Sequence, residues 1–250
     1  MRTLLYWVFV SLFYIYTKLL LIFVTSGRRR GSSSPCIYVA NHPNAFDPMY
    51  LLPLLGRRVT VLITEHAFQI PVFGALLRFT RQIQVTSCGG IAAYEEAVKR
   101  LKDGESILLF PEGDCNYGKH ILPFHTGAVR LAMETKMPII PIGIYLDPMK
   151  IWKRHTKIGK AMMIFTWYRY GWYGVTFGNE VRYVGDVENR NTVREQTIQL
   201  RKTILSLAHQ SKKSCQLSLQ AGKRKAKRRF HIVLRFAYRM ACFLLFTKMR

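Results

Sequence analysis

From Cys36 onward, short apolar runs alternate with longer stretches whose apolar residues recur at helical spacing. The runs 36–40, 59–64, 82–86, 106–110, 138–145 and 174–182 predict strands, and 47–55, 66–79, 89–102, 124–136 and 190–210 predict helices. Asp103-Gly104 reads as a helix stop before a buried strand. This alternation predicts a single α/β domain over 36–210, with a mixed, largely parallel sheet flanked by helices. Two prolines, Pro138 and Pro141, fall in one predicted strand, so that strand should bulge or lie at an edge.

The ends of the chain have another pattern. Thr3 to Val24 is one apolar stretch whose only charge is Lys18. As a helix it would reach roughly 33 Å, about the thickness of a bilayer core. It is long for a signal-peptide core, and no small-x-small site precedes Gly27. Residues 1–26 are therefore expected to be an N-terminal membrane helix, with spanning and single-leaflet insertion both open because its aromatics scatter. Residues 27–35 read as a basic linker, Arg28-Arg29-Arg30 followed by Gly31-Ser32-Ser33-Ser34-Pro35. Flanking arginines mark the cytoplasmic side, so the globular part is expected on the cytoplasmic face of the membrane. Residues 211–250 read as a basic tail ending in an interfacial, basic amphipathic helix at 230–247, with Arg235 and Arg239 on one face. A helix docked on the domain fits the same pattern.

Charge sharpens this division. The 250 residues hold 38 Lys and Arg against 14 Asp and Glu, a net +24. A hydrophobic content of 49% excludes a disordered basic protein, which leaves a nucleic-acid binder or a protein on an anionic membrane. Residues 201–250 carry +14, residues 51–200 only +6 and residues 1–50 +4. The apolar N-terminal stretch and the lack of a recognition motif favour anionic membrane lipid and argue against nucleic acid. Cys36, Cys88, Cys115, Cys215 and Cys242 are odd in number and form no Cys-x-x-Cys pair. That fits a reducing compartment, without a disulfide framework or a metal site.

Three segments could carry chemistry. In Asn41-His42-Pro43-Asn44-Ala45-Phe46-Asp47-Pro48, a strand ends and a helix begins, a common place for α/β active sites. Pro48 suits a first helical position, so Asp47 is expected as the helix N-cap. A five-residue separation lets His42 fold back on Asp47, and such a pair makes a general base; the spacing alone is common. Phe110-Pro111-Glu112-Gly113 follows another strand, and Glu112 could accept hydrogen bonds from a polyol or sit in a plain turn with Gly113 at positive φ. The third segment is the proline-bearing run 138–144. His66, His120, His125, His155, His209 and His231 have no carboxylate at short spacing and are expected to be structural or surface residues. Trp167, Tyr168, Tyr170, Trp172 and Tyr173 could form a membrane-interface loop, a wall for an acyl chain or ordinary core.

Asn-His-x4-Asp, then Phe-Pro-Glu-Gly about 70 residues later, then a proline-rich Ile strand, resembles the glycerolipid acyltransferase family, typified by lysophosphatidate acyltransferases. Ile70-Pro71-Val72-Phe73-Gly74, Phe124-His125-Thr126-Gly127-Ala128 and Leu131-Ala132 extend the resemblance over roughly 36–183. The resemblance implies that His42, oriented by Asp47, deprotonates an acceptor hydroxyl, which then attacks the thioester of acyl-CoA or acyl-carrier protein. It implies a lysolipid acceptor held by Glu112 and Gly113, beside which Asn41 of the first motif and Arg81 are also expected at the acceptor, and neither metal nor cofactor beyond the acyl donor.

Three cations of the family pattern are replaced. Its Gly-x-Ile-x-Val-Asp-Arg stands here as Arg81-Gln82-Ile83-Gln84-Val85-Thr86-Ser87, which puts Ser87 where an arginine is expected. The Thr-Arg-Ser after Phe-Pro-Glu-Gly is Asp114-Cys115-Asn116, and a frequent upstream Lys is Glu65-His66. Each lost charge-assisted bond to a phosphomonoester is worth about 1.5–3 kcal/mol. The expected acceptor is lysophosphatidate or a related lysolipid, with Arg78, Arg81 or Lys119 as substitutes for the lost cations; the alternatives are a lipid acceptor without a phosphomonoester (an amino-acid lipid, lysophospholipid or glycolipid) and a non-catalytic lipid-binding relic of the fold.

Overall fold

A computed structural model describes residues 2–27, 34–86, 90–158 and 161–222. Ser87, Cys88, Arg28 to Arg30, most of the linker, and the tail from Lys223 with its expected interfacial helix, His231 and Cys242 lie outside the described residues.

Helix α1 (Arg2–Leu20) runs directly into strand β1 (Leu21–Gly27). Then come β2 (Ile37–Ala40), α2 (Asp47–Leu55), β3 (Val59–Thr64), α3 (Glu65–Phe68), α4 (Phe73–Phe79), β4 (Ile83–Val85), α5 (Ile91–Lys102), β5 (Ser106–Leu109), α6 (Gly127–Thr135) and β6 (Ile139–Leu146). A hairpin, β7 (Ile151–Ile158) and β8 (Ala161–Tyr168), leads to β9 (Gly171–Phe177), and α7 (Arg190–Gly222) closes the fold. Seven strands form one sheet in the order β1-β9-β6-β2-β5-β3-β4. All neighbours are parallel except β9 with β6. The expected mixed, largely parallel sheet is therefore formed, with buried side chains packed on both its faces.

The expected N-terminal membrane helix over 1–26 is formed only in part. The apolar stretch stops being helical at Leu20, and its last residues pair with β9 from Leu21↔Gly171 to Gly27↔Phe177. Among the described residues no helix is long and apolar enough to cross a membrane. Leu21-Ile22-Phe23-Val24 suits a strand as well as a helix, and the unpaired side of β9 supplies the ladder. α1 packs across α2. Tyr6, Val10 and Thr17 are buried, and the Tyr6 hydroxyl bridges the β3 backbone, accepting from Val59 N–H at 3.1 Å and donating to Val59 O at 3.3 Å. Val8, Leu12, Ile15 and Leu19, on another face of the same helix, remain exposed.

β6 is a central strand and not an edge. Its ladder pairs Ile142 with Phe177, whereas the preceding bridge pairs Ile139 with Val181, a shift of one residue. The shift falls opposite Pro141, which has no N–H to donate, and Pro141 O accepts from Gly178 N–H at 2.8 Å. α7 runs twelve residues beyond the predicted 210. Ser211 and Cys215 are buried, so this part of the expected tail belongs to the packed domain. The approach is close enough that a Cβ on Gly143 would lie 2.2 Å from the α7 backbone at Ala208. Ser211 Oγ donates to Gly143 O at 2.8 Å in the same contact. The predicted helix 66–79 is broken into α3 and α4 around Pro71.

Candidate active site

β2 and β5 lie side by side with Val39 paired to Leu109, so the loops that leave their C-terminal ends emerge together. One loop carries His42 and the other Phe110 to Gly113, which brings motifs about 70 residues apart into contact. His42 Nδ1 is 3.0 Å from Asp47 Oδ2. Asp47 is fully buried. It is the first residue of α2 and not its N-cap, which is Phe46. Its carboxylate turns back into the loop instead, accepting from Asn44 N–H at 2.7 Å and from the Tyr173 hydroxyl at 2.7 Å. With Asp47 on Nδ1, that nitrogen carries the proton and Nε2 is left to accept another. The His42 ring stacks on Phe110, centroids 4.2 Å apart, while 16% of its side chain stays exposed.

The electrostatics are those of a buried pair. Burial drives the His42 value down, but the neighbouring Cys115 and Asp47 push it up and prevail, so it lies above that of an ordinary histidine. Burial pushes Asp47 the opposite way, toward the neutral acid, against its hydrogen bonds from His42, Tyr173 and Asn44. We assign the anion to Asp47, because all three of those partners favour the charged form.

The other residues expected at the site divide. Glu112 is buried and turns into the protein. It accepts from His42 N–H at 2.6 Å, Leu122 N–H at 2.6 Å and Asn116 Nδ2 at 2.9 and 3.0 Å. Glu112 thus clamps the His42 loop, and its oxygens face protein donors, not an open acceptor site. Asn41 is also buried and ties β2 to β6, donating to Ile144 O at 3.0 Å and accepting from Ile144 N–H at 2.7 Å. Gly113, at φ +74°, lines the cavity beside His42, where a Cβ would lie 3.1 Å from the His125 ring. Arg81 is exposed and is not among the cavity-lining residues, nor are Arg78 and Lys119.

That cavity has a volume of about 850 Å³. Its wall is largely apolar, with Met49, Leu62, Ile63, Ile70, Phe73 and Leu131 among the residues that form it. His42, His66, His125 and Cys115 also face it, and among its described lining residues there is no Lys or Arg. Sequence reasoning expected His66 and His125 to be structural or surface residues, and it gave Cys115 no place on the cavity wall and Tyr173 no bond to Asp47. His66, His125 and Cys115 had a signal in the family pattern around them, Tyr173 only its place in an aromatic cluster. The aromatic cluster divides: Tyr168 and Tyr173 are buried, Trp167, Tyr170 and Trp172 are half-buried, and Trp167 stacks on Phe46 and donates to the Tyr16 hydroxyl at 2.6 Å.

Comparison with known proteins agrees with this geometry. A model of the Acyltransferase family matches residues 22–145. A 1-acyl-sn-glycerol-3-phosphate acyltransferase of Haemophilus influenzae is 33% identical over 113 residues, covering 44% of this chain and 47% of that protein. The human 1-acyl-sn-glycerol-3-phosphate acyltransferase beta is 30% identical over 125 residues, covering 48% and 44%. The chain thus spans about half the length of the curated relatives it matches. The crystal structure of the 1-acyl-sn-glycerophosphate (LPA) acyltransferase PlsC from Thermotoga maritima superposes with a TM-score of 0.59 over 87% of this chain and 81% of that one, at 18% identity, which shows a shared fold. With both motifs joined at one sheet end and this set of relatives, the chain belongs to the glycerolipid acyltransferase family.

Proposed function

We propose that the protein moves a fatty acyl group from a thioester donor, acyl-CoA or acyl-carrier protein, to a hydroxyl of a lysolipid, with His42 as general base. The observation that carries this reading is the imidazole held by Asp47 through Nδ1 at the wall of a largely apolar cavity of about 850 Å³. The cavity suits an acyl chain, and Nε2 is free to take the hydroxyl proton as the oxygen attacks the thioester carbon. A positioned base supplies roughly 10²–10⁴-fold. His42→Ala should therefore lower kcat by about that factor while leaving the circular dichroism spectrum unchanged, as Ala lacks only a side chain that is part exposed. Full activity in this variant would refute the reading.

A second observation narrows the acceptor. The described cavity wall holds no Lys or Arg, and Cys115 stands where the pattern that this sequence resembles has an arginine. We read the preferred acceptor as a lysolipid without a terminal phosphomonoester. Purified protein should then acylate a neutral or zwitterionic lysolipid faster than lysophosphatidate in a panel assay, and a strict preference for lysophosphatidate would count against it. The exposed stripe Val8, Leu12, Ile15 and Leu19 supports attachment of α1 to one face of a bilayer.

A further inference from the structure

Residues 150–170 hold Lys150, Lys153, Arg154, Lys157, Lys160 and Arg169, and no Asp or Glu. The rest of 51–200 balances, with 13 basic residues against 13 acidic, so the whole +6 of the globular segment lies on this one stretch. It forms the β7–β8 hairpin and its flanks, and among the described residues these two strands pair only with each other. Lys153, Arg154 and His155 are exposed. Ile164 of β8 is both exposed and a lining residue, which puts the hairpin at the open rim of the cavity.

The hairpin is fastened to both loops of the candidate active site. On the His42 side, Ala45 N–H donates to Thr166 Oγ1 at 3.1 Å. On the Glu112 side, the chain runs on to Tyr117, and Lys153 Nζ sits over the Tyr117 ring, 4.4 Å from its centroid. Gly118 presses on the root of the hairpin, where a Cβ would lie 3.0 Å from Pro148. Tyr117 itself lines the cavity, so positive charge begins at the edge of a described wall that holds none of its own Lys or Arg. The one carboxylate on that wall, Asp114, already accepts Cys115 N–H at 2.6 Å. This division of surface fits a ligand whose apolar part enters and whose anionic part stays at the rim.

We propose that the β7–β8 hairpin holds the phosphates of the acyl donor, and that the donor is acyl-coenzyme A. The inference rests on the acyl-transfer reading above and deepens it. The acyl chain and thioester lie in the cavity beside His42, and the pantetheine arm leads out to phosphates that Lys153 and Arg154 receive. A coenzyme matches the patch in size. The cations are confined to 150–170, and the surface joined to β8 by the Trp167 to Tyr16 bond is the apolar outer side of α1. An acidic carrier protein needs a broad complementary face of about 800 Å², whereas a coenzyme that bears several phosphates needs only a few cations. An anionic bilayer would meet the same charge, but it would not explain why the cations are tied to the two loops beside His42.

Isothermal titration of the full-length protein in neutral detergent with octanoyl-CoA tests this without any acceptor. Lys153→Glu with Arg154→Glu should weaken binding about 10–100-fold, as attraction becomes repulsion at the phosphates. Lys153→Gln with Arg154→Gln, which removes charge alone, should give a smaller loss in the same direction. Lys202→Glu with Lys213→Glu, exposed on α7, should give none, because the effect is local. The protein should bind octanoyl-3′-dephospho-CoA more weakly than octanoyl-CoA, and the charge-reversed hairpin variant should no longer tell them apart. In transfer to lysophosphatidate or lysophosphatidylcholine, that variant should raise KM for palmitoyl-CoA and leave KM for the lysolipid unchanged. Unchanged octanoyl-CoA affinity in both hairpin variants would overturn the proposal; the charge would then serve a carrier protein if transfer from palmitoyl-loaded acyl-carrier protein falls, or the membrane if flotation with phosphatidylglycerol vesicles falls. An equal loss in the α7 control, or a rise in KM for lysophosphatidate with that for palmitoyl-CoA unmoved, would overturn it too. Charge-dependent binding of octanoyl-CoA with no transfer to any lysolipid would support the hairpin site and remove the function proposed above.

Discussion

At the scale of single residues, the site depends on keeping one buried carboxylate charged beside one imidazole. Asp47 relies on His42, Asn44 and Tyr173 for this, and Tyr173 reaches it from 126 positions away. Hydrogen bonds to a charged group are worth about 1.5–3 kcal/mol. Tyr173→Phe keeps the ring in place and removes one, so kcat should fall roughly tenfold, since about 1.4 kcal/mol is a factor of ten; steady-state kinetics beside a thermal melt will separate this from a loss of stability. The His42 value is raised, against its burial, by Cys115 and Asp47. In an NMR titration its ring resonance should move at a pH above the ordinary histidine value of about 6.5. Cys115→Ala should shift that midpoint to lower pH, because Cys115 is one of the neighbours that raise it. His42 and Asp47 were legible because five residues of local chain join them. Tyr173 was not, because no local spacing signals it. Glu112 was placed at the site by resemblance, but its partners are mainly backbone N–H groups, which a sequence does not display.

At the scale of elements, the strands from β2 to β6 and the helices between them were legible from alternation of apolar runs. The split of 66–79 at Pro71 and two boundaries were not. Residues 21–24 read equally well as helix or strand, and only the vacant side of β9 decides between them. α7 outran its prediction because its last described turns are held by small residues beneath, Gly143 and Gly174, which carry no hydrophobic signal. This contact is testable. Gly143→Ala puts a methyl group 2.2 Å from the backbone at Ala208, so helix and sheet must separate. Overpacking of this kind costs about 1–3 kcal/mol. The melting temperature should drop by several degrees, at about 2–4 °C per kcal/mol for a chain of this size. Ser211, which bonds Gly143 O, should report the same separation by faster amide exchange in α7.

For the whole molecule, the uneven charge and the uneven apolar surface point the same way. The excess of Lys and Arg lies in the C-terminal fifth, while α1 exposes Leu12, Ile15 and Leu19 along one side. Each such side chain gains about 1.5–3 kcal/mol on full burial in lipid. Flotation with anionic vesicles should therefore persist in high salt, which screens charge but not apolar contact. Leu12→Glu with Ile15→Glu should make binding salt-sensitive while leaving transfer to detergent-dispersed substrate intact, because neither residue lines the cavity.

The pairing of β1 with β9 has a practical result. A chain cut before residue 36 to remove its apolar N-terminus loses more than a lipid contact. It uncovers seven ladder positions, from Gly171 to Phe177, on β9, the strand that bears Tyr173. An open, apolar edge of that length invites pairing with other copies. The shortened protein should elute as soluble aggregate in size-exclusion chromatography, with Asp47 left in a loosened pocket. Attempts to make the protein more soluble by trimming its greasiest segment should therefore do the reverse.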